Sequence, residues 1–238
     1  MSSQHTVIVG GSSGIGLATA RHLLASGARV TITGRNENRL AEAGHQLGGQ
    51  AQTLPMDAAA ADALPAQFAQ IGRFDHLVLA LGSGQGVGPF ATVSLASVRL
   101  GFEEKVYAHF ATAQAALPFL SPTGSLTFVS AVSAQAAVPG TAGIGAANAA
   151  VAALVPILAV ELKPMRVNGV SPGVIDTPWW DAMPEAQKQA MFNDFAVRTP
   201  VGRVGRPEDV AQAIAFLIAD DFMTGQTLIC DGGLRFTA

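Results

Sequence analysis

The chain has 238 residues, of which 49% are hydrophobic and 13% charged, and its formal net charge is −3 at pH 7. This length fits one α/β domain with a large core, and the absence of a basic run argues against nucleic-acid binding. No apolar run reaches membrane-spanning length and the short polar N-terminus is not a signal peptide, so we expect a cytoplasmic protein without membrane partners. The single cysteine, Cys230, is interpreted as a core residue. His, Cys and acidic residues nowhere show metal-ligand spacing, so no metal site is expected.

The most informative stretch lies at residues 6–16. Residues 6–9 are β-branched and uncharged, which is typical of a buried parallel strand. Glycines follow at Gly10, Gly14 and Gly16, and an apolar-periodic helix begins there. Such a turn lets backbone N–H groups at a helix N-terminus approach a phosphate, and the helix dipole favours the negative charge. An ordinary strand–helix turn also needs glycine, but the strand before it and the helix after it favour nucleotide binding.

The spacing of Gly10, Gly14 and Gly16 resembles that of the short-chain dehydrogenase/reductase family. Three later segments resemble the same family in the same order. They are RVNGVSPG at 166–173, GRVGRPEDV at 202–210, and TGQ at 224–226 with DGG at 231–233. The resemblance covers nearly the whole chain and implies one NADP(H)-binding domain, residues 1–238. Its implied fold is a Rossmann-type, doubly wound, parallel seven-stranded α/β sheet flanked by helices, with strand order 3-2-1-4-5-6-7.

Hydrophobic periodicity and turn residues predict the remaining elements. Strands are expected at 29–33, 51–54, 76–80, 125–130, 166–170 and 227–230, and helices at 37–47, 100–120, 146–161 and 207–219. The nucleotide is expected at the switch point of the sheet. The cofactor contacts implied for the glycine turn, residues 10–16, are Gly10, Ser12, Ser13, Gly14, Ile15 and Gly16.

The end of the second strand bears on the choice of cofactor. Dinucleotide folds that use NAD carry an acidic residue here for the ribose hydroxyls, whereas this chain has Gly34, Arg35 and Asn36. A guanidinium suits the 2′-phosphate of NADP because it makes paired charge-assisted hydrogen bonds, and Ser12 or Ser13 can add a hydroxyl. A solvated arginine at a helix start is the other interpretation. We predict that NADP(H) is preferred over NAD(H), with Arg35 and Asn36 among the contacts.

Two further cofactor contacts are implied after the third and fourth strands. Asp57 resembles the family residue that contacts the adenine amine, and it is also a candidate helix N-cap; the two roles are compatible. The family follows its fourth strand with Asn-Asn-Ala-Gly, where this chain has Leu-Ala-Leu-Gly at 79–82. Only Gly82 is kept, in a glycine-rich loop that still lets backbone approach a ribose closely.

The family's catalytic positions hold unusual residues. Its active-site Asn, Ser, Tyr and Lys correspond here to Lys105, Ala131, Ile144 and Asn148. The only tyrosine is Tyr107, so the second half of the chain has none. Isoleucine cannot donate a proton and alanine cannot hydrogen-bond. A reductase of simple ketones built on this site would therefore lose several kcal/mol of transition-state stabilisation.

The Asn and Lys of the family pattern stand exchanged, as Lys105 and Asn148. If the two helices face each other, the Lys105 ammonium can reach a similar point near the nicotinamide ribose, which makes Lys105 the best remaining catalytic candidate and a further cofactor contact. Alternatively, Lys105 belongs to a solvated or subunit-facing run with Glu103 and Glu104.

The segment after the sixth strand matches the family's nicotinamide-binding loop closely. The contacts that it implies are Pro172, Gly173, Ile175 and Thr177. Residues 179–198 fall in the variable region of the family and are expected to form a substrate lid, rich in Trp, Met and Phe. An apolar or aromatic substrate fits such a lid, and core packing or a subunit contact explains the same residues.

These observations predict an atypical NADP(H)-dependent oxidoreductase that transfers hydride to or from an unknown, apolar small molecule. The alternative is a catalytically silent NADPH-binding protein, either a sensor or a partner subunit, because the cofactor loops are kept while the proton-transfer groups are not. The low charge of the chain and the family resemblance favour a homodimer or homotetramer.

Overall fold

Seven strands form one parallel sheet in the computed structural model, which describes residues 4–237. The strands are β1 (His5–Val9), β2 (Arg29–Gly34), β3 (Gln52–Pro55), β4 (Phe74–Leu79), β5 (Leu120–Val129), β6 (Arg166–Pro172) and β7 (Thr227–Cys230). Their order is β3-β2-β1-β4-β5-β6-β7, and every neighbouring pair is parallel. The predicted fold class and strand order are confirmed. Residues 1–3 and 238 of the predicted domain lie outside the described residues.

Eight α-helices connect the strands in the described part of the chain. They are α1 (Gly14–Ala25), α2 (Glu37–Gln46), α3 (Leu64–Ile71), α4 (Leu95–Phe102), α5 (Ala108–Ala116), α6 (Ala142–Glu161), α7 (Glu185–Arg198) and α8 (Pro207–Ala219). Short 3₁₀ turns lie at Ala61–Ala63, Val132–Ala134, Pro178–Trp180 and Leu234–Phe236. β5 and α6 each begin several residues before their predicted starts.

Both faces of the sheet are buried, because side chains alternate along each strand. One face packs against α3, α5 and α6, and its buried residues include Val7, Leu77, Leu126, Phe68, Ala113 and Val151. The other face packs against α1, α2 and α8, and its buried residues include Ile8, Ile32, Val78, Ala20, Leu40 and Ile214. This double-sided core explains the hydrophobic composition.

The predicted single helix over 100–120 is wrong in its form. The chain makes α4, then a π-helical turn at Glu103–Tyr107, and then α5. A π turn holds one residue more than an α turn, and such turns are frequent at functional sites. Lys105 lies in the middle of this turn, so its direction differs from that expected for a regular helix.

Helix α6 corrects the prediction that no apolar run reaches membrane-spanning length. It has 20 residues and a mean hydropathy of 2.0, long and apolar enough to span a membrane by length and composition. Its Val151 and Val155 pack into the core beside the sheet, as in the central helix of an α/β domain. Ile157 and Val160 are instead 59% and 73% exposed.

The sheet order locates a crevice. From β1 the chain moves outward to β2 and β3 on one side, and β4 then begins the other side. The connections that leave the carboxyl ends of β1 and β4 therefore diverge, and ligands of open parallel sheets bind in the crevice between them.

Candidate cofactor site

The glycine turn is built for close backbone approach. Gly10 and Gly14 have φ of 85° and 50°, in the left-handed region that favours glycine. A Cβ on Gly10 would lie 2.5 Å from the carbonyl oxygen of Ala80, and a Cβ on Gly16 would collide with the carbonyl oxygen of Gly10. The three glycines are therefore required by local geometry, and they bring the turn against the end of β4.

The first turn of α1 is open to a ligand. Ser13 stands at the N-cap position with extended backbone, and its side chain makes no capping hydrogen bond. The first N–H groups of a helix have no partner within the helix, so those of Gly14, Ile15 and Gly16 are available to an anion. Because the dipole also favours negative charge at this end, the turn suits a pyrophosphate.

A side chain at the end of β2 would have to displace the hydroxyl of Ser12. A Cβ on Gly34 would lie only 2.8 Å from the hydroxyl oxygen of Ser12. Arg35 is exposed, and Asn36 caps α2 by accepting a hydrogen bond from the N–H of Arg39 at 2.9 Å. The Asn36 side chain therefore has a structural role beside the predicted contact with cofactor.

Asp57 is exposed at the carboxyl end of β3. Its Oδ1 accepts a hydrogen bond from the N–H of Ala59 at 3.1 Å. The predicted role as an α-helix N-cap is wrong, because α3 begins only at Leu64, after a 3₁₀ turn. Asp57 instead holds a turn at the strand end, and an adenine contact stays a prediction.

Lys105 is buried, with 5% of its surface exposed, so the interpretation as a solvated position is wrong. Its Nζ donates to the carbonyl oxygen of Leu81 at 2.7 Å and to that of Val129 at 2.9 Å. Burial lowers the pKa of this ammonium to about 7. Lys105 therefore ties the loop that follows β4 to the end of β5, next in sequence to Gly82 in that loop.

His109 lies one turn further along and is buried against the same strands. Its Nδ1 approaches the carbonyl oxygen of Lys105 at 2.6 Å, and its Nε2 that of Leu79 at 3.2 Å. Burial, followed by the charge of Lys105, lowers the pKa of His109 to about 3. The imidazole is therefore packed between the π turn and β4, where it supports the helix.

Asn148 presents a buried acceptor without a partner. Its Nδ2 donates to the hydroxyl of Ser133 at 3.1 Å and to the carbonyl oxygen of Ile144 at 3.0 Å. These contacts set the orientation of the amide, because rotation would place its oxygen against the Ile144 carbonyl. Its Oδ1 is buried and unpartnered among residues 4–237. Ala131, two residues after the end of β5, and Ile144 are half-buried.

The loop at residues 172–177 lies against the glycine turn. Pro172 ends β6, and the N–H of Gly173 donates to the carbonyl oxygen of Cys230 at 3.0 Å. A Cβ on Gly14 would lie 3.2 Å from Cβ of Thr177. Ile175 is buried in the core. The family resemblance assigns the glycine turn to the pyrophosphate of the cofactor and the 172–177 loop to its nicotinamide. These two segments are therefore adjacent in space.

The region predicted as a lid contains a compact aromatic cluster and α7. Trp179 and Trp180 pack edge to face with ring centroids 4.3 Å apart, and Trp180 packs on Phe192 at 5.8 Å. Lys188 pairs with Asp176 at 3.4 Å and with Asp181 at 3.3 Å. These contacts hold the start of the region close to the 172–177 loop.

Sequence analysis missed one polar contact at this edge of the sheet. The hydroxyl of Ser83 donates to Oε2 of Glu104 at 2.7 Å, and the carbonyl oxygen of Ser83 accepts from the indole N–H of Trp179 at 3.0 Å. Glu104 was interpreted as part of a surface charge run. Only the π turn, which local sequence did not reveal, directs it to Ser83.

Comparison with known proteins identifies the family of the chain. Residues 9–235 match the family model described as "Enoyl-(Acyl carrier protein) reductase". The chain is 34% identical over 239 residues to cis-4-hydroxycyclohexanecarboxylate dehydrogenase of Sinomonas cyclohexanicum, covering 95% of this chain and 94% of that protein.

Two solved structures are similar over nearly their whole lengths. One is a short-chain dehydrogenase/reductase (glucose/ribitol dehydrogenase) from Brucella melitensis, with TM-score 0.89, 31% identity and coverage of 97% and 96%. The other is a small-chain dehydrogenase in complex with NADPH, with TM-score 0.86, 28% identity and coverage of 98% and 99%. The chain therefore belongs to the short-chain dehydrogenase/reductase family of oxidoreductases.

Proposed function

We propose that this chain is an NADP(H)-dependent oxidoreductase that acts on an apolar small molecule without the family's usual proton-transfer groups. The observation that carries the proposal is the meeting of the uncapped first turn of α1, the glycine turn and the Thr177 loop at one crevice. When bound there, the nicotinamide cofactor supplies or accepts a hydride.

The crevice fits a dinucleotide because glycines form part of its wall. Any other residue at those positions would place a side chain there. Gly10 and Gly16 leave no room for a Cβ, and Ser13 leaves the helix N–H groups uncapped. The residues proposed to hold the cofactor are Gly10, Ser12, Ser13, Gly14, Ile15, Gly16, Arg35, Asn36, Asp57, Gly82, Lys105, Pro172, Gly173, Ile175 and Thr177.

The preference for NADP(H) rests on the end of β2. Gly34 offers no carboxylate for a ribose 2′-hydroxyl, and the Ser12 hydroxyl lies where such a side chain would begin. The exposed guanidinium of Arg35 is free to pair with a 2′-phosphate. A carboxylate at residue 34 would instead repel that phosphate.

Proton transfer is proposed to differ from that of the family. Ala131 and Ile144 have no proton to give, and two of the three Lys105 donors serve main-chain carbonyls. Lys105 keeps one N–H, and Asn148 offers its free Oδ1. We assign this donor and acceptor, contributed by opposite helices, to positioning the nicotinamide ribose, so that the reaction's proton comes from substrate or water.

A non-catalytic NADPH-binding protein is the second candidate, favoured by Ala131 and Ile144 at the expected catalytic positions. The two candidates share the cofactor site and differ in turnover. A panel of carbonyl, imine and enone substrates separates them. Oxidation of NADPH with any of these substrates supports an enzyme, whereas the absence of turnover with all of them supports the silent protein.

The assembly is proposed to be a homodimer or homotetramer. Ile157 and Val160 expose an apolar face of α6 that a second copy can bury. The region 179–198 is proposed as the substrate lid, with its aromatic cluster facing an apolar ligand. We propose the cytoplasm as the compartment, since the chain has one cysteine and therefore no internal disulfide.

The test is calorimetric titration of NADPH and NADH into the wild type and Arg35→Ala. We expect NADPH to bind more tightly, and Arg35→Ala to weaken NADPH by about tenfold or more while leaving NADH unchanged, as for one lost charge-assisted pair. Arg29→Ala, at the opposite end of the same strand, is the matched control. Absence of binding by both cofactors would overturn the proposal.

A further inference from the structure

A cavity of about 490 Å³ lies at the amino ends of the strands, on the sheet face that packs against α1 and α8. Thr6 of β1 and His76 of β4, which are neighbours in the sheet, form its floor. Its walls come from the last turn of α1, from the residues that lead into β2, and from the second half of α8. Thr6 precedes Gly10 by about 13 Å along the strand. The cavity is therefore separate from the cofactor crevice, which lies at the carboxyl ends of the strands.

His76 places an unpartnered polar atom at the floor of this cavity. The residue is 3% exposed, and its Nδ1 lies 2.8 Å from the hydroxyl oxygen of Ser125 on the neighbouring strand β5. Its Nε2 is buried and without a partner among residues 4–237. Nδ1 is directed along the sheet to Ser125, so Nε2, at the end of the ring far from the backbone, is directed out of the sheet towards α1 and α8. A ligand that pairs with Nε2 removes an unfavourable unpaired group.

The Ser125 hydroxyl fixes which ring nitrogen of His76 carries the proton. In the described part of the chain, Nδ1 of His76 is the only hydrogen-bond partner of Ser125 Oγ. If Nδ1 carried the proton, the hydroxyl hydrogen would be buried without an acceptor. In the satisfied arrangement the hydroxyl donates to Nδ1, and the proton of the neutral ring is on Nε2. The cavity therefore offers an N–H donor, and its ligand must present an acceptor.

The charges around the cavity favour a neutral ligand. Among residues 4–237, the side chains that line it include no Asp, Glu, Lys or Arg, and His22 at its mouth is exposed to solvent. Burial lowers the pKa of His76 to about 4, which favours the uncharged imidazole, and the nearby charges of Asp75 and Arg166 act on this pKa in opposite directions. A carboxylate ligand would therefore lose its hydration without gaining a countercharge from the lining.

The walls of the cavity suit an apolar body. Leu23 of α1 and Ile218 of α8 are buried, and Phe216 is 48% exposed at the mouth. Ala28 and Ala215 leave the space between the two helices open. Apolar walls around a small number of placed polar groups are typical of sites for small molecules.

We propose that this cavity is a second binding site, for a neutral and mainly apolar molecule whose carbonyl-type oxygen accepts a hydrogen bond from Nε2–H of His76. The site does not depend on the proposed NADP(H)-dependent function, because it shares no residue with the cofactor crevice. It also lies on the sheet face opposite α6, so the proposed subunit interface leaves it open.

The experiment is calorimetric titration of the full chain with matched probes. The lactam 1-phenyl-2-pyrrolidinone carries one acceptor oxygen and is not a hydride acceptor, 1-phenylpyrrolidine has the same rings without that oxygen, and benzoate carries a charge. We expect the lactam to bind about tenfold or more tightly than either of the others, with the same affinity in the presence of NADPH. In a long-range ¹H–¹⁵N spectrum, the lactam should shift the ring nitrogens of His76 and leave those of the exposed His45 unchanged.

Two variants test the site independently. His76→Phe combined with Ser125→Ala replaces both partners of the buried pair by apolar groups, so that no polar atom of the pair is left unpartnered. Ala215→Leu fills the cavity and keeps the pair. Each should weaken the lactam by about tenfold or more, whereas His45→Phe should not. Equal binding of the lactam and 1-phenylpyrrolidine, tighter binding of benzoate, unchanged lactam affinity in both variants, or no binding of any probe would overturn the proposal.

Discussion

Lys105 is predicted to make the stability of the protein depend on pH between neutral and alkaline conditions. Its ammonium is 5% exposed, and burial lowers its pKa from 10.5 to about 7 in the folded chain. The unfolded chain keeps the ordinary value, so between pH 7 and pH 10.5 it binds more protons at this residue than the folded chain does. Linkage then requires that the free energy of unfolding rise between pH 7 and pH 10.5 and level off outside that range.

The magnitude follows from the two pKa values. At pH 7 the folded Lys105 is half protonated, and at pH 9 it is nearly neutral, whereas the unfolded residue is charged at both. Integrating the difference in bound protons from pH 7 to pH 9 gives a free energy of unfolding that is about 2 kcal/mol larger at pH 9 than at pH 7. A neutral amine still carries two N–H groups, enough for the carbonyls of Leu81 and Val129, so deprotonation need not disrupt the contacts.

The measurement is urea unfolding at pH 7 and pH 9 for the wild type and Lys105→Met. The wild type should gain about 2 kcal/mol relative to the variant between the two values. The variant should also be less stable at pH 9 by about 2 kcal/mol or more, because two buried carbonyls lose their donor. Lys163→Met, at an exposed lysine, is the control. Parallel pH profiles for the wild type and Lys105→Met would refute the assignment of a titrating, buried amine.

Three further predictions follow from other parts of the structure. Gly10→Ala should lower stability by at least about 1 kcal/mol more than Gly27→Ala in thermal unfolding. Both glycines have left-handed φ, but only a Cβ on Gly10 would meet a carbonyl oxygen, at 2.5 Å, whereas one on Gly27 would meet nothing within 4 Å. Equal losses would contradict the close approach. Gly34→Asp should weaken NADPH by about tenfold or more relative to NADH in calorimetry, since it places a carboxylate beside the proposed 2′-phosphate; an unchanged ratio would place that phosphate elsewhere. Val160→Glu should yield a smaller species in light scattering, whereas Val197→Glu, at an 87% exposed position of α7, should not; an unchanged mass would remove α6 from the proposed interface.

Much of the fold could be predicted because its signals are local in the chain. The β-branched run before Gly10 specifies a buried strand, and the spacing of Gly10, Gly14 and Gly16 meets a steric demand within a few residues. Sheet order followed from family resemblance supported by the alternation of strands and helices. The 172–177 loop was also found from the family resemblance, and its last residue, Thr177, lies against Gly14.

What failed was prediction of side-chain direction where the backbone departs from regular form. The π turn at Glu103–Tyr107 was not visible as a pattern, and the alternative that placed Lys105 in a solvated run was wrong. Its ammonium donates to the carbonyl of Leu81, in the loop after β4, and to that of Val129, at the end of β5. A contact between Lys105 and the nicotinamide ribose stays a prediction. Asp57 was likewise expected to cap a helix that begins several residues later.

The sequence by itself determined the strand–turn–helix opening, the need for glycine in it, the α/β class and the missing acid at the end of β2. Each depends on steric or charge properties of residues near one another in the chain. Only the tertiary structure decided the burial of Lys105, the pairing of Ser83 with Glu104 and the anchoring of Trp179, whose partners lie 24, 21 and 96 positions away. Contacts over such separations depend on how strands and helices pack, and one extra residue in a helical turn changes which side chain enters the crevice.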